Sequence, residues 1–311
     1  MSATAKDPVR LFTAFFDPVD MVLCCSAEAT LAGINAQAAA AGLRFPLVGD
    51  PAASLQAHVA AIDYAPASAR FGPYVDNLLG MNWELPSGTL VRVGERVIKS
   101  TTGYDLQRFL LHSDGRYGRA RDYVLRLRPL GGASAEAVLH GEETALEKAC
   151  DLLLHSPWLH WLDAVNLVFA ADRGSMLEIM ADCAPGEEAC FADFFRQLGY
   201  DSGCLVLAPA APRRRTLPPL SLKTALSAAR TLGAELVRDF GGAARVLVVN
   251  GVVHYYPATP GKALPADALA ALAKRCAAAG GHLFGPLAPV PVPSAAEARW
   301  AEELEAAWKQ L

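Results

Sequence analysis

The run from Val19 to Cys25 is almost continuously apolar, which predicts a buried strand. An Ala-rich stretch, Ala27 to Ala41, then predicts a helix ended by Gly42, because glycine suits the left-handed residue that follows a helix. Leu43 to Val48 restarts as a short strand, and strand, helix, strand makes a small α+β unit. Leu78 to Leu85 and Thr89 to Val93 are β-prone runs joined at Pro86-Ser87-Gly88, the pattern of a hairpin. Thr102 to Asp105 offers a capped helix start that continues through Phe109, Leu110 and Leu111.

Arg119 to Arg128 alternates as a strand does, and Pro129-Leu130-Gly131-Gly132 breaks the pattern, so a domain boundary is placed near residue 131. Beyond it, Val165 to Ala170 and Met176 to Met180 read as strands around a turn at Ala171 to Gly174. Glu187 to Leu198 reads as a helix, with Glu142-Glu143 and Glu187-Glu188 as helix-start charges. Val246 to Tyr256 folds back at Asn250-Gly251, a type I′ hairpin signal. From about Ser294 a last helix carries Trp300, Leu304, Trp308 and Leu311 on one face, for docking on the protein's own core or in a partner's groove. No repeat of about 20 to 50 residues is visible, which argues against a solenoid or propeller.

Composition narrows the class. The 311 residues are 52% hydrophobic and 19% charged, enough apolar material for one large or two medium domains. The net charge of -4 is small, and the one basic run, Arg213-Arg214-Arg215, sits among prolines in a loop, so nucleic acid is not an expected partner. Seven cysteines without a Cys-x-x-Cys pair spell neither a disulfide framework nor a zinc or iron–sulfur site, as in a reducing cytoplasm. Cys24 and Cys25 point to opposite sides of their strand, so at least one is packing. No window is long and apolar enough for a membrane span, and a soluble cytoplasmic protein is expected. Gly-x-Ser-x-Gly, Walker-type and His-Glu-x-x-His patterns are absent, which disfavours hydrolase, nucleotide-phosphate and zincin chemistry.

One constellation remains: Arg70-Phe71-Gly72, Asp76, Gly80, Lys99, Gly103-Tyr104-Asp105-Leu106, Ser113-Asp114-Gly115-Arg116-Tyr117-Gly118 and Leu125-Arg126-Leu127-Arg128-Pro129. In this order it resembles the FAD-linked oxidases of the p-cresol methylhydroxylase (vanillyl-alcohol oxidase) type, especially the glycolate oxidase FAD-binding subunit. The resemblance implies an α+β fold: a truncated FAD-binding domain over residues 1–130, then an α+β cap or substrate-like domain over 131–311. It implies FAD as cofactor, facing Arg70, Gly72, Lys99, Gly103, Tyr104, Asp105, Ser113, Gly115 and Gly118, because backbone near glycine can approach phosphate oxygens closely.

The family's first half-domain, with its glycine-rich pyrophosphate loop, is expected to be missing. Gln56-Ala57 stands where the family has a Gly-Gly pair, and His112 where it has a glycine. His254 and His282 are isolated, without the clustered histidines of metal-assisted members, and a lone histidine is more often surface or satisfied core. No catalytic residue or metal ligand is assigned. The resemblance leaves three readings: an accessory subunit of a glycolate or 2-hydroxy-acid oxidoreductase complex, beside a catalytic flavoprotein subunit and an iron–sulfur subunit; a non-catalytic structural or interaction subunit; and an independent flavin-dependent oxidase.

Overall fold

In the computed structural model the described residues are 11–61, 64–96, 106–113, 115–208, 217–288 and the four positions Arg299, Glu302, Glu303 and Ala306. The predicted helix start at 102–105, the Arg213–Arg215 run and the aromatic stripe of the last helix lie outside them. Two cores organise the chain, each beneath its own antiparallel sheet.

The first sheet draws on β1 (Phe15–Asp17), β2 (Val22–Ser26), β4 (Leu78–Glu84), β5 (Leu90–Gly94) and β6 (Arg119–Arg126), in the order β1-β2-β6-β4-β5. Between β2 and β4 come α1 (Leu31–Ala39), β3 (Leu43–Arg44) and α2 (Leu55–Ala61); α3 (Leu106–Leu111) precedes β6. Thr30 caps α1 by accepting from the Gly33 amide at 3.1 Å, and Leu31, Ile34 and Ala38 form the stripe that buries it. The hairpin expected at Pro86 to Gly88 is present, with Gly88 at φ 85°. The strand expected over Leu43 to Val48 shrinks to two residues, because it pairs only with β7 (Arg128–Pro129), whose proline ends the ladder.

The second sheet has eight strands: β8 (Ala133–His140), β9 (Ala164–Ala170), β10 (Gly174–Cys183), β11 (Leu205–Leu207), β12 (Leu220–Lys223), β13 (Ala243–Leu247), β14 (Val252–Tyr256) and β15 (His282–Phe284). Four helices join them: α4 (Glu143–Leu154), α5 (Glu188–Ser202), α6 (Leu226–Phe240) and α7 (Ala266–Ala278). The order β11-β8-β10-β9-β13-β14-β12-β15 resolves into two β-α-β-β-α-β halves, set side by side across the β9–β13 pair.

The helices supply the apolar cover for one face, through Leu146, Cys150, Phe191, Phe195, Leu232 and Cys276 against Leu167, Leu177, Val246 and Val253. Gly233 is what lets α6 approach β13, since a Cβ there would stand 2.6 Å from Val246. The turn at Asn250-Gly251 is not type I′. Asn250 lacks a positive φ, both amides reach back to the Leu247 carbonyl, and only Gly251 is left-handed, giving a four-residue loop in place of two.

Candidate functional site

Arg70, Gly72, Ser113, Gly115 and Gly118 fall at two ends of one strand. The Arg-Phe-Gly turn leads into the start of β4 and is held by Asn77, whose amide donates to the Phe71 and Pro73 carbonyls at 2.9 and 3.0 Å. Gly72 takes φ 72°, which glycine adopts without strain. Asp76 follows and accepts from Arg108 on α3 at 2.6 Å, tying this turn to the helix. Arg70 itself turns toward the second sheet, with Nη1 3.8 Å from Asp163 Oδ1 and its guanidinium over the rings of Phe71 and Trp161.

The second glycine turn sits at the far end of β4. Ser113 Oγ donates to the Leu110 carbonyl at 2.7 Å and closes α3, and Gly115 at φ 75° continues the turn. Gly118 takes φ 117°, and a Cβ there would overlap the Glu84 carbonyl, while Trp83 Nε1 donates to the Tyr117 carbonyl at 2.7 Å. Gly118 therefore stands at the Glu84 end of β4, the Arg-Phe-Gly turn at its Leu78 end, and α3 links the two. Lys99, Gly103, Tyr104 and Asp105 lie outside the described residues.

At the position of the family's Gly-Gly pair the chain forms α2. Gln56 accepts from the Tyr123 hydroxyl at 2.6 Å, and the fully buried His58 packs against Gly49 and 5.9 Å from the Tyr74 ring. Burial pushes the His58 imidazole below its ordinary value, against weaker opposing pulls from the Ser54 carbonyl and Asp50.

A second set of polar groups gathers where sequence reading placed no site. On the face of the eight-stranded sheet away from its helices, Arg245, His254 and Ser221 stand side by side across β13, β14 and β12. One step along, Glu178 and Asn166 stand side by side on β10 and β9. This row straddles the junction of the two half-sheets. All five are largely or wholly buried, and Arg245 pairs with Glu178 at 3.5 Å.

The segment 64–70 lies across them: Asn166 donates to the Pro66 carbonyl at 3.1 Å, Ser68 donates to Asn250 at 3.1 Å, and Lys223 sits over the Tyr64 ring. Yet Asn166 Oδ1, Ser221 Oγ, Arg245 Nε and both nitrogens of His254 are buried without a hydrogen bond. The Tyr64 backbone lies near enough to bias the His254 ring without meeting hydrogen-bond geometry. Each such group forfeits about 1–3 kcal/mol of solvation unless something polar meets it. Burial first, and the Arg245 charge second, push His254 down to about 3, so the ring is neutral at ordinary pH. Among the described residues no group of three or more side chains is arranged to hold a metal ion.

No family model matches the chain. Over 97 residues it is 35% identical to the mitochondrial D-lactate dehydrogenase [cytochrome] of Arabidopsis thaliana, covering 31% of this chain and 17% of the relative. Over 114 residues it is 27% identical to an uncharacterized FAD-linked oxidoreductase of Mycobacterium tuberculosis, 36% of this chain and 25% of the relative. Over 153 residues it is 26% identical to D-lactate dehydrogenase [cytochrome] 1 of Saccharomyces cerevisiae, 49% of this chain and 26% of the relative. The chain is a relative of the FAD-linked oxidoreductases.

The matches span about a quarter or less of those relatives' own lengths. The fold agrees at longer range. A solved alkyldihydroxyacetonephosphate synthase superposes with a TM-score of 0.63 over 88% of this chain and 61% of its own, at 12% identity. In this FAD-linked oxidoreductase relative, the α+β oxidase fold is thus preserved although most side chains differ. The signal for the buried row was present in the sequence: Asn166, Arg245 and His254 each interrupt an apolar strand at a single position, and Glu178 interrupts the apolar run Met176–Met180. Which of them share a face depends on strand order, and that order is non-local.

Proposed function

We propose that this chain is a subunit of a flavin-linked 2-hydroxy-acid oxidoreductase of the glycolate oxidase FAD-binding-subunit kind. It would work in the cytoplasm beside a catalytic flavoprotein subunit and an iron–sulfur subunit. The relationship to D-lactate dehydrogenases and FAD-linked oxidoreductases supports the chemistry, and no helix among the described residues is long and apolar enough to cross a membrane. The observation that carries the reading is the row of buried, unmet polar atoms on the sheet face covered by residues 64–70.

That row fits the polar edge of a flavin ring or a hydroxy acid. Arg245 offers a charged donor, Asn166 an acceptor, and Ser221 and neutral His254 can each donate or accept. A bound FAD supplies the hydride-accepting chemistry. The protein's share is to orient through Arg245 and Asn166, to exclude water beneath residues 64–70, and to keep the His254 ring uncharged.

The test is the visible absorption spectrum of the purified chain, alone and co-expressed with candidate flavoprotein and iron–sulfur partners, with released cofactor identified by mass. Flavin bands in the lone chain, or one additional flavin per complex, support the reading. No flavin attributable to this chain in either state refutes it and leaves a structural subunit. One observation favours that second reading: α2 occupies the Gly-Gly position, and the Gln56 side chain is already committed to Tyr123.

A further inference from the structure

Three arginines surround one ring at the seam between the two sheets. The guanidinium carbons of Arg44, Arg70 and Arg128 lie 5.4, 5.1 and 5.2 Å from the Phe71 centroid. Arg44 and Arg128 are also direct cross-strand partners in the β3–β7 pair, a position where like charges repel. The second sheet contributes two carboxylates, and both serve mainly Arg44, which reaches Asp163 at 2.9 Å and Asp182 at 3.1 Å. Arg70 has only the longer 3.8 Å approach to Asp163.

Among the described residues Arg128 has no carboxylate partner. The charges it feels most are those of Arg126 and Arg70, which join burial in lowering it, and its Nε is buried without a hydrogen bond. Three positive charges therefore face two negative ones. The unbalanced charge lies on the Arg128 side, next to Arg70, whose side chain is 30% exposed and open to solvent.

We infer that this seam is an oxyanion site, in which a carboxylate or phosphate group seats between Arg70 and Arg128 against Phe71. Guanidinium forks match both groups by paired N–H donors, and Phe71 supplies an apolar wall that keeps water from competing. The site lies at the seam beside the buried row, since Arg70 ends the segment that covers that row, and its test reads Tm and not flavin content.

The experiment is thermal unfolding of the full chain in sodium phosphate and, separately, sodium acetate, each against sodium chloride at equal ionic strength. One oxyanion should raise Tm saturably, by roughly 3 °C at ten times its Kd for a chain of this size. Arg128→Gln should keep its Tm in chloride, or gain, because the repulsion with Arg44 is relieved, and it should lose the saturable rise. If Arg128→Gln does not fold, Arg70→Gln carries the same comparison. A response to phosphate alone identifies a phosphate-bearing ligand, and a response to acetate a carboxylate. No saturable rise, or an equal rise in the wild-type and variant proteins, overturns the site.

Discussion

Replacing His254 by leucine, and separately by glutamine, isolates the energetics of the buried row. The ring is fully buried and its pKa is pushed down to about 3 from an ordinary 6.5. In the unfolded chain it regains the ordinary value, so protons bind the unfolded state more tightly. The stability tied to the neutral ring is complete above pH 6.5 and is lost as pH falls toward 3. At pH 5 the unfolded chain gains about 1.5 pH units of proton binding that the folded chain does not share, or about 2 kcal/mol at 1.36 kcal/mol per unit. At pH 4 the figure is about 3 kcal/mol.

Urea unfolding from pH 8 to pH 4 measures this as a difference between proteins, so that titrations common to both, including that of buried His58, cancel. Both variants should gain about 2 kcal/mol on the wild-type protein between pH 8 and pH 5, whatever their offset at pH 8. Both variants remove the ring nitrogens, but leucine leaves no polar atom there while glutamine buries an amide, so that difference would separate the two variants by a constant amount, while the titration gives them one slope. A pH-independent difference, or a His254 ring that titrates in NMR spectra with a midpoint above 5, would refute the claim that this row is sealed from water.

Other substitutions probe the rest of the framework. Gly118→Ala should cost about 3 kcal/mol or more in urea unfolding, since it combines φ 117° with overlap of the Glu84 carbonyl; a loss below about 1 kcal/mol would mean the turn relaxes freely. Asp163→Asn should cost about 1–3 kcal/mol, because Arg44 keeps Asp182 at 3.1 Å but loses its second carboxylate, and less when combined with Arg44→Met, since the charge Asp163 serves is then gone. Additive losses in that double-mutant cycle would show the pair to be uncoupled. Thiol labelling at neutral pH should reach exposed Cys190 first, while Cys24 and Cys25, raised by burial to about 11 and 12, stay almost wholly protonated and react far more slowly; equal rates at all three would contradict their burial.

The local elements were legible because their signals are local. The strand at Val22–Ser26, the helix after Thr30, the hairpin at Pro86 to Gly88 and the helix starts at Glu143 and Glu188 each follow from apolar periodicity and punctuation within about fifteen residues. The misread turn at Asn250-Gly251 shows the limit of that method. The dipeptide prefers type I′, but Val248 donates to Val165 and Asn250 meets Ser68, so tertiary contacts hold the loop in a four-residue form. The duplicated half-sheet was invisible because its periodicity lies in strand order rather than in residue identity.

The same reasoning explains why the buried row escaped notice while the glycine turns stood out. Glycine turns are written contiguously, and Gly72 and Gly118 do take the left-handed conformations their positions require. A site made from Asn166, Ser221, Arg245 and His254 is spread over nearly ninety residues and exists only once β9, β13, β14 and β12 lie side by side. Joining two β-α-β-β-α-β halves edge to edge leaves their helix-free faces continuous, and the junction strands are the ones best shielded from water. Polar side chains placed there are held rigidly by sheet backbone and lose their solvent, which is the condition under which a few hydrogen bonds discriminate strongly between ligands. A solved structure at 12% identity shares the fold, because strand order and the alternation of faces do not depend on any one motif.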